Sequence, residues 1–165
     1  KVLEIGTGSG ILPIALAKGL SNPSILTLDI SEDALETAKI NFNENAISDL
    51  IEVMCTDFLS WKSDRMFDVI ISNPPYIPFS EISGLEPEVK NFEPEFALSD
   101  GKDGLTFYRA IAEFCKSGLN PRGWVFLELH ADLSDKTREF FQPVLSEIEI
   151  ITDMQGKPRI LKGRK

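Results

Sequence analysis

Cysteine, histidine and long apolar runs are all scarce in this 165-residue chain, and each shortage closes off a class of function. Cys55 and Cys115 lie far apart, outside any C-x-x-C spacing, and His130 is the only imidazole. Neither a zinc site nor a disulfide framework is indicated, and no metal is expected. The expected state is two buried thiols in a reducing, cytoplasmic setting. No run approaches the roughly 18 apolar residues that a membrane helix needs, so no membrane partner is expected. Basic residues are in deficit as well. Seventeen lysines and arginines against 26 acidic residues leave a net charge of -9, with no basic arm or stripe. Phosphate contacts dominate nucleic-acid affinity, so this balance argues against a nucleic-acid backbone as the main docking surface and leaves room only for a local basic patch. What is present, 42% hydrophobic and 26% charged residues, suits one globular domain with a full core over residues 1–165.

Apolar strand-like runs alternate with helical stretches. Strands are expected at about 1–5, 25–30, 51–56, 67–72, 123–130, 147–153 and 158–162, and helices at about 11–20, 32–45, 104–118 and 134–145. Ser31 and Asp103 are candidate helix N-caps. This alternation implies right-handed crossovers and a parallel sheet covered on both faces. The last two strands are separated only by Met154 to Lys157 and should form an antiparallel hairpin around Gln155-Gly156. The fold class is therefore α/β. Residues 74–103, which hold five of the ten prolines, are expected to be one long irregular stretch forming a substrate-facing wall.

Asn73-Pro74-Pro75-Tyr76 follows the apolar run Phe67 to Ser72. Neither proline offers an N–H to a sheet, so the strand has to stop at Asn73. The Asn73 side chain and the Pro74 carbonyl then form two acceptors on a stiff support, with the Tyr76 ring close by, an arrangement suited to gripping a planar –NH2 group. Such a nitrogen is a poor nucleophile and requires a highly activated partner. The opening residues indicate one: Glu4-Ile5-Gly6-Thr7-Gly8-Ser9-Gly10 lies between a strand and an Ala-rich helix, and its alternate glycines let the backbone turn tightly against a ligand. Position 11 is Ile, so the pattern is G-x-G-x-G after an acidic residue, unlike the common dinucleotide fingerprint. This form resembles motif I of the class I S-adenosylmethionine-dependent methyltransferases. Asp29 ends the second strand and Asp57 the third, where one carboxylate can accept from ribose hydroxyls and another from an adenine amino group. Phe58 is placed to lie against the adenine face. Locally, Asp29 could equally serve the next helix and Asp57 a turn.

Four segments together, LEIGTGSG at 3–10, NPPYIP at 73–78, EPEFALSDGKDGLTFYR at 93–109 and DMQGKPRILKGR at 153–164, resemble the PrmC/HemK family of protein-(glutamine-N5) methyltransferases. The resemblance implies a Rossmann-like class I methyltransferase sheet of seven strands, mostly parallel, in the order 3-2-1-4-5-7-6. It implies a class-1 peptide chain release factor as protein substrate, with the glutamine of a Gly-Gly-Gln loop methylated at its side-chain nitrogen and S-adenosyl-L-homocysteine as the cofactor product. By the same resemblance Asn73 and Pro74 hold the amide, with Pro75 and Tyr76 beside it. Glu4, Gly6, Thr7, Gly8 and Gly10 line the methionine part of the cofactor, Asp29 and Ile30 meet the ribose, and Asp57 and Phe58 meet the adenine. Asn73 also faces the cofactor. The NPPY element is shared with adenine-N6 and cytosine-N4 methyltransferases, so a ribosomal-protein glutamine and a nucleic-acid adenine stay open as alternative substrates. Two departures stand out. This chain reads Glu128-Leu129-His130 where the family often has Glu-x-Gly with a glutamine soon after, which leaves residues 128–133 without an assigned role. The chain also opens at Lys1 inside the first strand, so the family's N-terminal helical recognition domain and any targeting segment, including one for an organelle, are expected to lie outside it.

Overall fold

The computed structural model describes residues 1–90 and 92–165, and among these seven strands form one sheet. The strands are β1 (Val2–Ile5), β2 (Ile25–Asp29), β3 (Ile51–Cys55), β4 (Phe67–Ser72), β5 (Leu119–Glu128), β6 (Glu147–Thr152) and β7 (Pro158–Arg164). Their order is β3-β2-β1-β4-β5-β7-β6, as the family resemblance implies. Strands β1 to β5 pair in parallel, and β7 runs antiparallel to both β5 and β6. The expected hairpin is present: Gly156 turns at φ 80, and Asp153 Oδ1 accepts from the Gln155 and Lys157 amides at 2.8 and 3.0 Å. Parallel strands need crossovers, which are supplied by α1 (Ile11–Gly19), α2 (Glu32–Glu44) and α5 (Thr106–Gly118), while α6 (Ser134–Phe141) precedes the hairpin. Two one-turn helices, α3 (Pro87–Lys90) and α4 (Glu95–Leu98), lie between β4 and α5.

The starts of α2 and α5 have local causes. Ser31 accepts a hydrogen bond from the Ala34 amide, and Glu32 and Asp33 sit in the first turn of α2, where their charge opposes the positive end of the helix. The start of α5 is arranged differently from the expected Asp103 cap. Asp103 Oδ1 accepts from the Leu105 amide at 3.1 Å, Asp100 Oδ2 takes the Thr106 amide at 2.9 Å, and the residue at the cap position is Leu105. The core has two parts. Leu3, Ile70, Val125 and Leu127 of the sheet meet Tyr108 and Ile111 of α5, while Val2 and Ile25 meet Ala17, Ala38 and Phe42 of α1 and α2. Full burial of each large aliphatic side chain contributes about 1.5–3 kcal/mol.

Several expectations shift. Strand β5 begins at Leu119, four residues before the expected 123, because Leu119 pairs with Phe67; the register then slips before Val69 meets Trp124. Arg122, at φ 64, lies inside this irregularity, which is why the local Asn-Pro-Arg-Gly sequence reads as a turn. At its other end β5 stops at Glu128, so His130 lies beyond the sheet. Helix α6 ends at Phe141 rather than 145. The stretch 74–103 is more ordered than expected, since it carries a 3-10 turn at Phe79–Gly84 besides α3 and α4; its residue 91 lies outside the described residues. Cys115 is buried, but Cys55, at the end of edge strand β3, is exposed and not the buried thiol expected. No helix among the described residues is long and apolar enough to cross a membrane.

Candidate active site

The carboxyl ends of β1, β2, β3 and β4 open into one cleft of about 1040 Å³. Its position follows from topology. Chain progression reverses direction between β1 and β4, so the loops leaving those two strands turn to opposite faces of the sheet and leave a crevice between them. The glycine turn and the asparagine tip meet there: a Cβ built on Gly6 would lie 3.6 Å from the Asn73 carbonyl oxygen. Ser72 Oγ donates to the Ile5 carbonyl at 2.6 Å and ties the two tips together from within.

Glu4 is completely buried at the cleft floor. Its Oε2 accepts from the Thr27 hydroxyl, and Thr27 Oγ1 lies 2.5 Å from Thr7 Oγ1, but Glu4 Oε1 has no partner. Burial pushes the Glu4 carboxyl up to about 8, against the Thr27 hydrogen bond, which lowers it, and with the Asp29 charge, which raises it further. A buried carboxyl with an unpaired oxygen on the wall of a cleft is the counterpart of a cationic ligand group. Thr7, Gly8 and Ile30 also border the cleft, although the Thr7 hydroxyl is committed to Thr27. Asp29 is held firmly, since Oδ2 accepts from the Gly8 amide and Oδ1 from the Ser31 amide, both at 2.9 Å. It is therefore a brace for the glycine turn and, through Ser31, for the start of α2. Asp57 Oδ1 accepts from the Leu59 amide at 2.9 Å, the turn that its position in the sequence allowed.

Asn73 is exposed within the cleft, beside Pro74 and Pro75. Three candidate residues sit differently from expectation. Gly10 does not border the cleft; it adopts φ 82 at the start of α1, where an added Cβ would come 2.5 Å from the Phe42 ring and 3.1 Å from Ala38 Cβ. It is glycine because α1 and α2 approach closely there. Tyr76 is turned from the cleft: its hydroxyl donates to Glu128 Oε1 at 2.8 Å, and its ring meets His130 edge-on at 6.1 Å. Burial and then the Glu128 bond raise its pKa, so it stays a donor. Phe58 borders the cleft but is only 7% exposed, its ring packed against Phe114 at 5.8 Å and Trp61 at 6.5 Å. The aromatic side chains that open further onto the cleft are Phe96 of the wall, 56% exposed, and the half-buried Phe107 of α5.

That wall is fastened to the asparagine tip. The Ile77 amide donates to the Leu98 carbonyl and the Phe79 amide to the Lys102 carbonyl, each at 2.9 Å. Asp100 collects the amides of Lys102, Gly104 and Thr106; burial raises its pKa, but these bonds outweigh that effect and hold it low. Gly104, at φ 74, lies where any Cβ would collide with the Tyr76 carbonyl. Glu128 also borders the cleft, although the sequence left it without a role. Its signal was present in the pattern of a strand ending in a carboxylate, as in β2. His130, whose Nε2 lies 3.1 Å from Glu81 Oε2, ties the end of β5 to the same wall.

Residues 1–83, half of the chain, match the family model described as methyltransferase small domain. The chain belongs to this methyltransferase family. Family members use S-adenosylmethionine as methyl donor, and the unpaired Glu4 oxygen, Asp29 and the glycine turn that border the cleft are groups that could hold such a cofactor. Among curated relatives, the release factor glutamine methyltransferase of Geobacter sulfurreducens is 36% identical over 164 residues, covering 99% of this chain and 57% of that protein. The bifunctional methyltransferase of Rickettsia typhi is 36% identical over 162 residues, covering 98% of this chain and 31% of its own length. The chain thus spans between about a third and somewhat over half of these relatives. The same fold occurs in the crystal structure of a methyltransferase from Pyrococcus furiosus, with a TM-score of 0.71 at 23% identity over 99% of this chain and 74% of that one.

Proposed function

We propose that this chain is the catalytic part of a protein-(glutamine-N5) methyltransferase that modifies the glutamine of the Gly-Gly-Gln loop in class-1 peptide chain release factors. The observation that carries the reading is the contact of the Gly6 turn with Asn73 in a single cleft, which sets two amide acceptors beside a nucleoside-sized space. The names of the curated relatives support the substrate class.

Glu4 would receive the ammonium of the methionine part on its unpaired oxygen, Gly6 and Gly8 would let that part lie close to the backbone, and Asp29 would accept from the ribose hydroxyls with lone pairs its backbone bonds leave over. Ile30 would pack under the ribose. The Asp57 carboxylate and the Phe58 N–H would pair as acceptor and donor with the adenine edge. When bound, S-adenosylmethionine supplies a methyl group on a positively charged sulfur. Asn73 Oδ1 and the Pro74 carbonyl would accept both N–H groups of the glutamine amide and orient its nitrogen, with Pro75 keeping the tip rigid. The amide lone pair is delocalised into its own carbonyl, so fixing the nitrogen supplies most of the rate gain. Tyr76 would act from behind, by fixing Glu128.

The test is incubation of the protein with labelled S-adenosylmethionine and a class-1 release factor. Label should enter the release factor and vanish when the loop glutamine is changed to alanine. Label persisting after that change overturns the reading, and label in a ribosomal protein or in DNA or RNA assigns the same cleft to those substrates instead.

A further inference from the structure

We infer that Glu128 is a third acceptor for the substrate amide, and the one that takes its proton. This rests on the carboxamide reading of the cleft and adds a residue to it. Strands β4 and β5 pair in parallel with Ser72 opposite Leu127, so the next residues, Asn73 and Glu128, stand side by side at the sheet rim, and both border the cleft. Glu128 is held in place from three directions. Tyr76 donates its hydroxyl to Oε1 at 2.8 Å, Tyr108 donates to the Glu128 carbonyl at 2.8 Å, and Glu128 pairs with Ile160 of β7. Arg159 of β7 is hydrogen-bonded to Asp153 at 3.0 Å and feels the Glu128 charge through space, without a hydrogen bond to it among the described residues. Among the described residues Oε2 makes no hydrogen bond, so one oxygen is fixed by Tyr76 while the other is free to face the cleft.

The chemistry needs such a group. Methylation of an amide nitrogen leaves it with two hydrogens, the new methyl and a positive charge. One of those hydrogens has to depart as a proton, its bonding electrons staying on nitrogen to restore the amide. Glu128 Oε2 receives that proton and passes it to water once the methylated amide has left. Before the reaction the same oxygen shares, in a three-centre bond, the N–H that the neighbouring Asn73 Oδ1 accepts, so three acceptors serve the two hydrogens and align the nitrogen. Glu128 then touches the substrate directly, while Tyr76 acts through Glu128 as a positioning residue.

The experiment compares the wild type with Glu128→Gln and Tyr76→Phe in two measurements. The first is binding of N-acetylglutaminamide to the ligand-free protein by NMR titration, which depends neither on turnover nor on the identity of the protein substrate. In Glu128→Gln the amide oxygen can keep the Tyr76 bond, which turns the –NH2 toward the substrate –NH2, donor against donor. Affinity should fall about tenfold, whereas Tyr76→Phe, which leaves the carboxylate in place, should stay within about threefold of wild type. The second is single-turnover methylation, which should fall about 100-fold in Glu128→Gln and clearly less in Tyr76→Phe. Unchanged carboxamide affinity in Glu128→Gln overturns the inference, and so does an equal loss in Tyr76→Phe, which would reduce Glu128 to an anchor for the tyrosine. Failure of the wild type to label a release factor counts against the substrate assignment alone, because the carboxamide titration still decides the role of Glu128.

Discussion

Replacing Glu4 by glutamine should remove a pH dependence of stability that few other groups in the chain can produce. In the unfolded chain the carboxyl titrates near 4.5, and in the folded, ligand-free protein near 8. The folded state therefore binds this proton more tightly. The stability it contributes is complete below pH 4.5 and is lost as pH rises through 8. Between pH 5.5 and 7.5 the loss is a little over 1 kcal/mol per unit, or about 2–3 kcal/mol in all. Glu4 is completely buried, so solvent screens little of this. At an m-value of about 2 kcal/mol/M the urea midpoint should drop by about 1–1.5 M across that range. Asp68, Asp100, Asp103 and Asp153 all have lowered pKa values, so they stay ionised throughout and add no slope. Glu4→Gln keeps the size of the side chain and an acceptor for Thr27 but carries no charge. Its midpoint should be nearly flat with pH, and the variant should exceed the wild type at pH 8. Urea titrations of both proteins at half-unit pH steps, without ligand, measure this. Parallel curves for the two proteins would refute the assignment of a buried, high-pKa carboxyl to Glu4.

Three further outcomes follow from particular contacts. Asn73→Ala should lower methyl transfer by about 100-fold or more while leaving S-adenosylhomocysteine affinity within a few fold, since the exposed amide acts on the reacting nitrogen; calorimetry and single-turnover kinetics separate the two effects. Gly10→Ala should destabilise the fold by about 2–3 kcal/mol, because the new methyl group meets both a positive φ and the Phe42 ring, and thermal melts read this directly. Asp100→Ala should cost about 2–3 kcal/mol by stranding the amides of Lys102, Gly104 and Thr106, with the largest rise in amide hydrogen exchange across residues 98–106.

The parts of the site legible in the sequence are those with a local cause. The two prolines after Asn73 end β4 because they lack an N–H, and that rule operates without knowledge of the neighbouring strands. The start of β5 is not legible locally, for the opposite reason. Asn-Pro-Arg-Gly reads as a turn until Phe67, on another strand, is seen to pair with Leu119. Gly10 shows the same limit. Three alternate glycines look equivalent in a motif, yet two border the cleft and the third makes room for Phe42.

Hydrophobic period, proline and glycine positions and the supply of acidic strand ends were determined by the sequence itself, since each depends on residues a few positions apart. Tertiary structure alone decided that Tyr76 serves Glu128 across 52 positions and that one oxygen of Glu4 is left unpaired at the cleft floor. Those outcomes depend on which strands become neighbours and how far each side chain is withdrawn from water, and both are properties of the packed sheet rather than of any short segment.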